Sequence, residues 1–579
     1  MILQLTKIKL DKYHIDLYLG KWCFDKINDL KNVSIHKYHW SDLNKFETDS
    51  EIIINYYEIL IKKISQYLNK IHTENKDFKY WEKIVGPWLL YFITIVFDRY
   101  ENLRNLDNKE KIKTFIPKYN INDWIPLDFV DFEDMISRDD WNYYIYSEII
   151  KAQKLINYEE LNQNLVNKKK YHRKKSRLLE KIIKILIYKL LRLIPEKLRD
   201  ISLVETNLKY YKHWYLNLKL KQFPFQYYIR ENTKEKYIDN KYRKKNIDDK
   251  YFINENEFLK LLNNLIIQNI PIAYLESFKS NKARHIKVFP KKPKFIFTSS
   301  AYFSNELFKI WIAEQSLNHQ KIYISVHGGH HGTALFNLPG LMTERIADKF
   351  FTWGWSENIL PSPKASELKI RKNKYKINNK KFKICFVVYN SNKFSSCITA
   401  SPTSSNFLDY LEDHEIFIKS LNKMIVNQLT VRFKRLNSSW DLKNFYKNLS
   451  VKQFSQFNEK DDLKDLVNKF SIFICAYDTT MVYELLTLNV PTILFFDEKF
   501  WRLNKKTKKM FYKLKKVNLF FESPKEIAQF LNDKNIESIR VWWNKKDTQI
   551  TKNEYLKLYG YSSKNYLNEW KATINKHLN

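Results

Sequence analysis

Residues Ile322 to Trp355, IYISVHGGHHGTALFNLPGLMTERIADKFFTWGW, hold the strongest indication of the fold. The stretch begins with alternating apolar residues, typical of a buried strand, and then enters a loop of glycine and histidine at 327–332. The chain has only 8 glycines, and three of them lie in this loop. Because glycine lets the backbone approach a ligand closely, a glycine-rich turn after a strand predicts a ligand-facing loop. A plain turn with ordinary polar histidines is the simpler alternative.

Strands and helices alternate on both sides of this stretch. Upstream, a strand pattern at 294–300 and a helix pattern at 305–315 precede the strand at 321–326. Downstream, strand patterns at 382–389, 429–434 and 471–475 are separated by helical segments. Such alternation is typical of parallel sheets with crossover helices, whose ligands bind at the carboxyl ends of the strands. The sequence therefore predicts an α/β protein with the glycine-histidine loop at a binding edge.

The N-terminal half has a more helical pattern. Apolar spacing predicts helices over 51–71 and 80–102, and helix-like patterning dominates from about 130 to 280. A basic run at 167–175 leads into an apolar, lysine-interleaved helix at 176–187 that fits a membrane face, a partner or an ordinary core. A lysine-rich segment at 231–250 has few large aliphatic residues and predicts a loop or insertion.

These patterns divide the chain into four parts. Residues 1–360 form an N-terminal α/β domain with a helical insertion at about 130–280, and 361–380 form a linker. The pattern predicts a second, C-terminal α/β domain at residues 381–545. We expect the remaining residues, 546–579, to form a helical tail that packs back on both domains.

Composition bounds the function without deciding it. The 579 residues are 44% hydrophobic, which excludes a disordered chain, and the formal net charge is +36. Scattered lysines alongside abundant Asn, Ile, Tyr and Phe fit an AT-rich genome as well as selected binding to anions. The 4 cysteines form no CxxC pair, which favours a reduced, cytosolic setting. The N-terminus lacks a signal-peptide pattern, and the longest charge-free apolar run, Val85 to Phe97, is too short to span a bilayer.

A second group of polar residues follows the buried strand at 471–475. Asp478 is a plausible N-cap, and Thr479 and Thr480 would lie in the first helical turn, where free N–H groups hold anions. Glu484 lies four residues after Thr480, on the same helical face and within reach of a ribose. A capped helix with an incidental glutamate explains the same residues.

Two basic residues lie on the strand pattern at 429–434. Side chains alternate along a strand, so Arg432 and Lys434 share one face. They are positioned to contact a phosphate or carboxylate, although solvated basic residues on a strand are as common.

Several short motifs recur along the chain. They are YWEKIVGPWLL (80–90) with FDRY (97–100), His327-Gly328-Gly329, Asp348 with Trp353-Gly354-Trp355, and Asp478-Thr479-Thr480 with Glu484 and Pro491-Thr492-Ile493. In this order and spacing, the motifs resemble a bacterial family of transferases encoded in O-antigen and surface-carbohydrate loci, and the resemblance covers nearly the whole chain. The C-terminal pattern is also similar to GT-B glycosyltransferases, including capsule transferases that use a CMP-activated ulosonic acid.

The resemblance implies a GT-B-like fold, in which two Rossmann-like domains face a cleft. The first domain (1–360) would lie on the acceptor side, and the second (381–545) would bind the nucleotide. The resemblance also implies a metal-independent glycosyltransferase without a cofactor. It implies a nucleotide-sugar donor, a lipid-linked or polysaccharide acceptor and a cytoplasmic enzyme, with peripheral contact to the anionic inner membrane and no nucleic-acid partner. The helix N-terminus at 478–480, supported by Arg432, would neutralise the departing phosphate. His327, Glu344 and Asp348 are the catalytic candidates, with His327 preferred as a cleft residue that acts as base or contacts phosphate.

Two other classes of protein remain open. A basic nucleic-acid- or lipid-binding protein would use the positive charge, although the lysines are dispersed and no nucleic-acid module is recognisable. A metal-dependent hydrolase would use His327, His330 and His331, which lack the usual helical ligand spacing and a clear carboxylate partner.

Overall fold

Helices and strands alternate along most of the chain, as the sequence pattern predicts. The computed structural model describes residues 1–578 except 9–12, 25–26, 31, 167–185, 187–189, 192, 226–236, 244–255, 372–381, 397, 435–439 and 457–462. In the described part the helices are α1 (Leu43–His72), α2 (Phe78–Arg104), α3 (Phe129–Met135), α4 (Asp139–Gln153), α5 (Tyr210–Lys219), α6 (Asn240–Arg243), α7 (Glu257–Asn269), α8 (Phe278–His285), α9 (Ala301–Ser304), α10 (Glu306–Leu317), α11 (Leu338–Ile346), α12 (Pro363–Arg371), α13 (Asn406–Ser420), α14 (Lys423–Asn427), α15 (Leu442–Asn448), α16 (Leu463–Val467), α17 (Thr480–Thr487), α18 (Lys505–Lys516), α19 (Pro524–Asn532), α20 (Ile536–Asn544), α21 (Lys546–Tyr559) and α22 (Tyr566–Leu578).

The strands of the described residues fall into two larger sheets and two short pairs. They are β1 (Leu3–Gln4), β2 (Leu17–Tyr18), β3 (Lys113–Lys118), β4 (Asn157–Asn164), β5 (Ile201–Val204), β6 (Phe295–Thr298), β7 (Ile322–Ser325), β8 (Lys349–Phe351), β9 (Ile384–Val387), β10 (Leu429–Phe433), β11 (Gln453–Gln456), β12 (Ile472–Cys475), β13 (Thr492–Phe495) and β14 (Phe520–Phe521).

The N-terminal sheet has four parallel strands in the order β5-β6-β7-β8. Its strand β5 lies inside the region that the sequence assigned to a helical insertion, and so does β4. This assignment is therefore corrected: the region contributes a sheet strand as well as helices. Four buried residues, Ile201–Val204, are too few to show an alternating pattern in the sequence.

Two long helices form the core beside this sheet. α1 begins at Leu43, eight residues before the predicted helix, because the Asp42 carboxylate accepts hydrogen bonds from the N–H groups of Asn44 and Lys45. Asp77 caps α2 in the same way through the N–H of Tyr80. The two helices pack against each other, and α10 packs on α2. This cluster positions the strands that carry the glycine-histidine loop.

The C-terminal sheet has six parallel strands in the order β11-β10-β9-β12-β13-β14. Numbered within the unit, the order is 3-2-1-4-5-6, the order of a dinucleotide-binding Rossmann fold, in which ligands bind where the order reverses. That switch point lies between the carboxyl ends of β9 and β12, which pair directly. The expected class, α/β with two parallel sheets, is confirmed, and the C-terminal sheet has the Rossmann strand order.

The last two helices contact both units. α21 packs against α17 and α18 of the C-terminal unit, whereas α22 packs against α5 and β6 of the N-terminal unit.

In the predicted linker, residues 363–371 form α12, which packs on α17, and residues 372–381 lie outside the described part. The basic run at 167–175, nearly all of the helix pattern at 176–187, and most of the segment 231–250 lie outside it as well. No helix of the described residues is long and apolar enough to cross a membrane.

Candidate active site

The glycine-histidine loop meets the switch point of the C-terminal sheet. It leaves the carboxyl end of β7 and reaches the start of α17, which follows β12. The N–H of Gly329 donates a hydrogen bond to Thr480 Oγ1 at 2.9 Å. A methyl group at Gly329 would lie 2.7 Å from backbone atoms of both Thr479 and Thr480. Only glycine therefore allows this approach, and the predicted ligand-facing loop is also a contact between the two units.

The loop continues as an extended strap along the C-terminal unit. Leu335 N–H donates to the Arg502 carbonyl at 2.8 Å, and Leu338 N–H donates to the Ile398 carbonyl at 3.0 Å. The Asn504 side-chain amide donates to the Gly332 carbonyl at 2.9 Å. These bonds hold the two units together, so that the loop is fixed relative to α17. The segment around Arg502 was not expected at the site from its local pattern.

His327 is the exposed histidine of the loop. The residue as a whole is solvent-exposed, but the surrounding protein partly desolvates the ring. This desolvation lowers the pKa of the imidazole. The charges of His331 and Lys364 lower that pKa further. The ring is therefore neutral near pH 7 and has a nitrogen that can accept a proton or a hydrogen bond.

Glu484 and Lys364 form the opposite part of the site. Glu484 lies on α17 one turn after Thr480, as predicted, and burial raises the pKa of its carboxyl group while the charge of Lys364 opposes that rise. Lys364 lies in the first turn of α12 and is exposed. Its charge acts on both His327 and Glu484. The sequence analysis missed Lys364 because it lies in a segment with the composition of a linker.

Asp478 has a different role from the one expected. The N-cap of α17 is Thr479, which makes no side-chain cap hydrogen bond, and Thr480 is the first helical residue. The Asp478 carboxylate is buried and accepts hydrogen bonds from the hydroxyl groups of Thr333 (2.6 Å), Tyr483 (3.1 Å) and Tyr555 (2.9 Å). The N-cap prediction for Asp478 is thus corrected, because distant hydroxyl donors hold its side chain inside the protein.

The N-terminus of α17 keeps the features of an anion site. Because Thr479 does not cap the helix through its side chain, the first-turn N–H groups are not satisfied in that way. Thr479 and Thr480 are both partly exposed. Gly328 is close to Thr480: a methyl group added at Gly328 would lie 3.8 Å from Thr480 Oγ1, an ordinary contact distance. The positive end of the helix dipole therefore faces the space beside Gly328.

Arg432 and Lys434 are placed differently from each other. Arg432 is buried in β10 and donates to Ser455 Oγ at 2.6 Å, and its charge acts on Cys385 and Tyr477. Lys434 is exposed just beyond the carboxyl end of β10. Both residues lie at the ligand-binding edge of the sheet, but the guanidinium of Arg432 is already engaged within the domain.

Asp348 and Glu344 lie away from His327. Asp348 is at the amino end of β8, where its carboxylate accepts a hydrogen bond from the N–H of Ile322 at 2.7 Å. It therefore connects the starts of β7 and β8, at the opposite end of these strands from His327. Glu344 is exposed on α11, with its carboxylate 3.7 Å from His331 Nε2. The three candidates for the base therefore lie at different places, Asp348 beside the start of β7 and Glu344 beside His331.

The three histidines of the loop are not brought together. The His330 ring packs edge-on against Trp501 at 5.0 Å, and burial lowers its pKa to about 4. The His331 ring stacks on Phe350 at 5.1 Å. The metal-dependent hydrolase alternative needs these rings to converge on one ion, and the geometry does not support it.

A different set of ligand-type side chains does converge in the described part of the chain. His39, Asp49 and Glu101 are buried, with ligand atoms within 4.8 Å of one another. The Lys45 ammonium lies 2.6 Å from Asp49 and 2.9 Å from Glu101. Lys45 therefore already supplies the positive charge between these carboxylates.

The fold and site together define a two-unit α/β protein in which a loop of the N-terminal unit meets the Rossmann switch point of the C-terminal unit. The chain belongs to the LIC12162 family of transferases, whose family model matches residues 1–574. The expectation of an enzyme that transfers a group is thereby confirmed. No curated protein matches the chain.

Solved structures show a weak similarity. MurG of Acinetobacter baumannii is 10% identical with a TM-score of 0.30, over 52% of this chain and 78% of that chain. A UDP-N-acetylglucosamine 2-epimerase of Listeria monocytogenes, so described, is 11% identical with a TM-score of 0.31, over 55% and 86%. The wall teichoic acid polymerase TagF is 12% identical with a TM-score of 0.25, over 49% and 71%. At these values the family assignment, and not the structural similarity, carries the functional argument.

Proposed function

We propose that this transferase moves a sugar from a nucleotide-activated donor to a surface-polysaccharide or O-antigen acceptor, without a metal ion. The observation that carries the proposal is the hydrogen bond from the Gly329 N–H to Thr480 Oγ1, which places the glycine-histidine loop at the N-terminus of α17 and at the switch point of a Rossmann sheet. The charge of Lys364 acts on the pKa of both His327 and Glu484 beside this contact. In this proposal the C-terminal unit (381–545) binds the nucleotide, and the N-terminal unit (1–360) binds a lipid-linked or polysaccharide acceptor on the cytoplasmic side of the membrane.

The residues divide the reaction between them. The first-turn N–H groups of α17 and the ammonium of Lys364 stabilise the phosphate, and Glu484 accepts hydrogen bonds from the ribose hydroxyl groups. The bond between the anomeric carbon and the phosphate oxygen breaks, and its electron pair stays with the phosphate. The acceptor oxygen forms the new bond to the anomeric carbon, and its proton passes to the neutral imidazole of His327.

The test is a calorimetric and thermal-shift screen of UDP, GDP, dTDP, ADP, CDP and CMP. We expect one nucleotide to stabilise the wild type, with CMP indicating a nonulosonic-acid donor. Lys364→Met removes a charge-assisted contact to phosphate and should lower the affinity for that nucleotide about tenfold or more. Glu484→Gln should weaken it as well.

Lys369→Met is the matched control for Lys364→Met. Lys369 lies on the same helix, but its ammonium donates to the Ser562 carbonyl at 2.6 Å. Its loss should leave the nucleotide affinity unchanged. Absence of binding by every nucleotide at millimolar concentration would overturn the proposal, and so would equal losses in both lysine variants.

A further inference from the structure

Helix α5 exposes its large apolar side chains, whereas a surface helix usually buries them. Tyr210, Tyr211, Trp214, Tyr215 and Leu218 recur at i, i+1, i+4, i+5 and i+8, which places them on one face, and all are exposed. Trp214 is 38% and Leu218 is 58% exposed. The buried side of the helix is formed instead by the smaller set His213, Leu216 and Asn217. A contiguous aromatic and aliphatic face turned to solvent marks an interaction surface.

The apolar face extends beyond the end of α5. Phe223 and Leu198 are also exposed, and they are joined by a hydrogen bond from the Phe223 N–H to the Leu198 carbonyl at 2.7 Å. Earlier in the chain Leu193 is 79% exposed. Side chains of leucine offer no hydrogen bond to a sugar and no ring to stack on it, so this composition favours lipid over glycan as the occupant.

The sequence of α5 and its flanks carries charge of a single sign, and the acidic residue at this face, Glu367, comes from α12 and lies 3.6 Å from the Lys212 ammonium. Residues 206–223 contain four lysines and no aspartate or glutamate. The Lys212 and Lys219 ammonium groups lie 5.4 and 5.0 Å from the ring centroids of Tyr211 and Tyr215. Tyrosine and tryptophan with flanking lysine are the residues that settle at the boundary between lipid headgroups and acyl chains.

We propose that the exposed face of α5, with Leu198 and Phe223, docks on the surface of a bilayer containing anionic phospholipid. The aromatic rings and leucines enter the interfacial layer, and Lys209 and Lys221 contact the headgroups. The docking itself does not depend on which sugar is transferred.

The position of this face deepens the proposed function and, in that respect, rests on it. Tyr211 OH donates to Glu367 at 3.2 Å, and the Lys212 ammonium lies 3.6 Å from the same carboxylate. Glu367 is on α12, one turn after Lys364 of the candidate active site. Docking through α5 therefore brings the cleft close to the bilayer, where a lipid-linked acceptor would present its sugar.

A second lysine-rich helix supplies a control. α18 contains seven lysines, but Tyr512 is its only exposed large apolar side chain, because Met510, Phe511 and Leu514 are buried. α18 therefore has positive charge that would attract anionic lipid, but it lacks an exposed apolar face like that of α5. A variant that removes Tyr512 and another exposed apolar residue, Met424, alters the same number of exposed apolar side chains elsewhere.

The experiment is co-sedimentation of the full chain with phosphatidylcholine vesicles, with and without phosphatidylglycerol. We expect the wild type to sediment with the anionic vesicles, less so at high salt. Trp214→Ser/Leu218→Ser should lower the partition coefficient about tenfold, since two large apolar groups no longer enter the interface. Lys209→Gln/Lys221→Gln should lower it about tenfold as well, since each lysine contributes to attraction by anionic lipid.

Tyr512→Ser/Met424→Ser should sediment like the wild type. All substituted side chains are exposed, so equal thermal midpoints are expected and establish that the variants are folded. Equal sedimentation of the α5 variant and the wild type would overturn the proposal. Equal binding to neutral vesicles, or binding to soluble polysaccharide instead of vesicles, would overturn it too.

The vesicle assay is independent of the nucleotide screen. Vesicle binding without nucleotide binding would contradict the proposed function and leave the docking surface standing. Nucleotide binding without vesicle binding would support the proposed function and overturn the docking surface.

Discussion

At the scale of single residues, two adjacent glycines differ sharply in their surroundings. A methyl group at Gly329 would overlap the backbone of Thr479 and Thr480 at 2.7 Å, whereas at Gly328 it would meet only Thr480 Oγ1 at 3.8 Å. Backbone at the start of a helix cannot move aside as a flexible side chain can. The closeness of the loop to α17 therefore depends on one glycine of the pair.

Gly329→Ala should push the loop away from α17, destabilise the protein by about 1–3 kcal/mol and weaken nucleotide binding. The measurements are denaturant unfolding and calorimetry with the nucleotide found in the screen. Gly328→Ala should leave both nearly unchanged. Similar effects of the two substitutions would contradict this account of the contact.

At the scale of secondary-structure elements, one carboxylate joins three of them. Asp478 accepts hydrogen bonds from Thr333 of the strap, Tyr483 of α17 and Tyr555 of α21. No cation is among these partners, and burial raises the pKa of Asp478 to about 6. The folded protein therefore binds this proton more tightly than the unfolded chain does.

This pKa predicts a pH dependence of stability. Between its unfolded pKa and about pH 6, Asp478 is protonated in the folded state and ionised in the unfolded state, so stability falls as pH rises through that window. The loss is roughly 2–3 kcal/mol for a shift of about two units. Asp478→Asn cannot ionise, so the difference in unfolding free energy between wild type and variant should change by this amount between pH 4 and 6.5.

Tyr555→Phe provides the companion variant. Its hydroxyl group favours the ionised form of Asp478, so its removal should extend the window to higher pH. Parallel stability profiles of the wild type and Asp478→Asn would show that Asp478 does not titrate in this range.

At the scale of the whole molecule, the end of the chain returns to the N-terminal sheet. Trp570 of α22 is 1% exposed and packs on Phe297 of β6 at 5.1 Å between ring centroids. Its indole N–H donates to the Pro361 carbonyl at 3.2 Å. α21 packs on the C-terminal unit, so the last two helices form a second connection between the units, in addition to the strap.

Trp570→Ala should destabilise the N-terminal unit by about 3–5 kcal/mol, because it leaves a large cavity beside the sheet. Denaturant unfolding followed by near-ultraviolet circular dichroism measures the loss. Trp214→Ala, at an exposed position, should cost less than about 1 kcal/mol. A cost for Trp570→Ala as small as that would mean that α22 does not support the sheet.

The sequence by itself determined the features that depend on neighbours along the chain. Alternating apolar residues predicted β7, the buried runs predicted β9 and β12, and helical spacing placed Glu484 on the same face as Thr480. Glycine after a strand predicted a loop at 327–332 that approaches another group closely, although the ligand expected there is at Gly329 the backbone of Thr479 and Thr480. Each of these follows from backbone geometry within a few residues, so the two α/β units were predictable.

Only the tertiary structure decided which side chains meet. Lys364 reaches the site because α12 packs on α17, and Tyr555 reaches Asp478 from far along the chain, so neither pairing has a local pattern. Asp348 lies in a matching motif, yet parallel strands carry it to the opposite end from His327. Burial and hydrogen-bond partners are set by distant segments, and they decide whether a carboxylate acts at a cleft or holds the fold together.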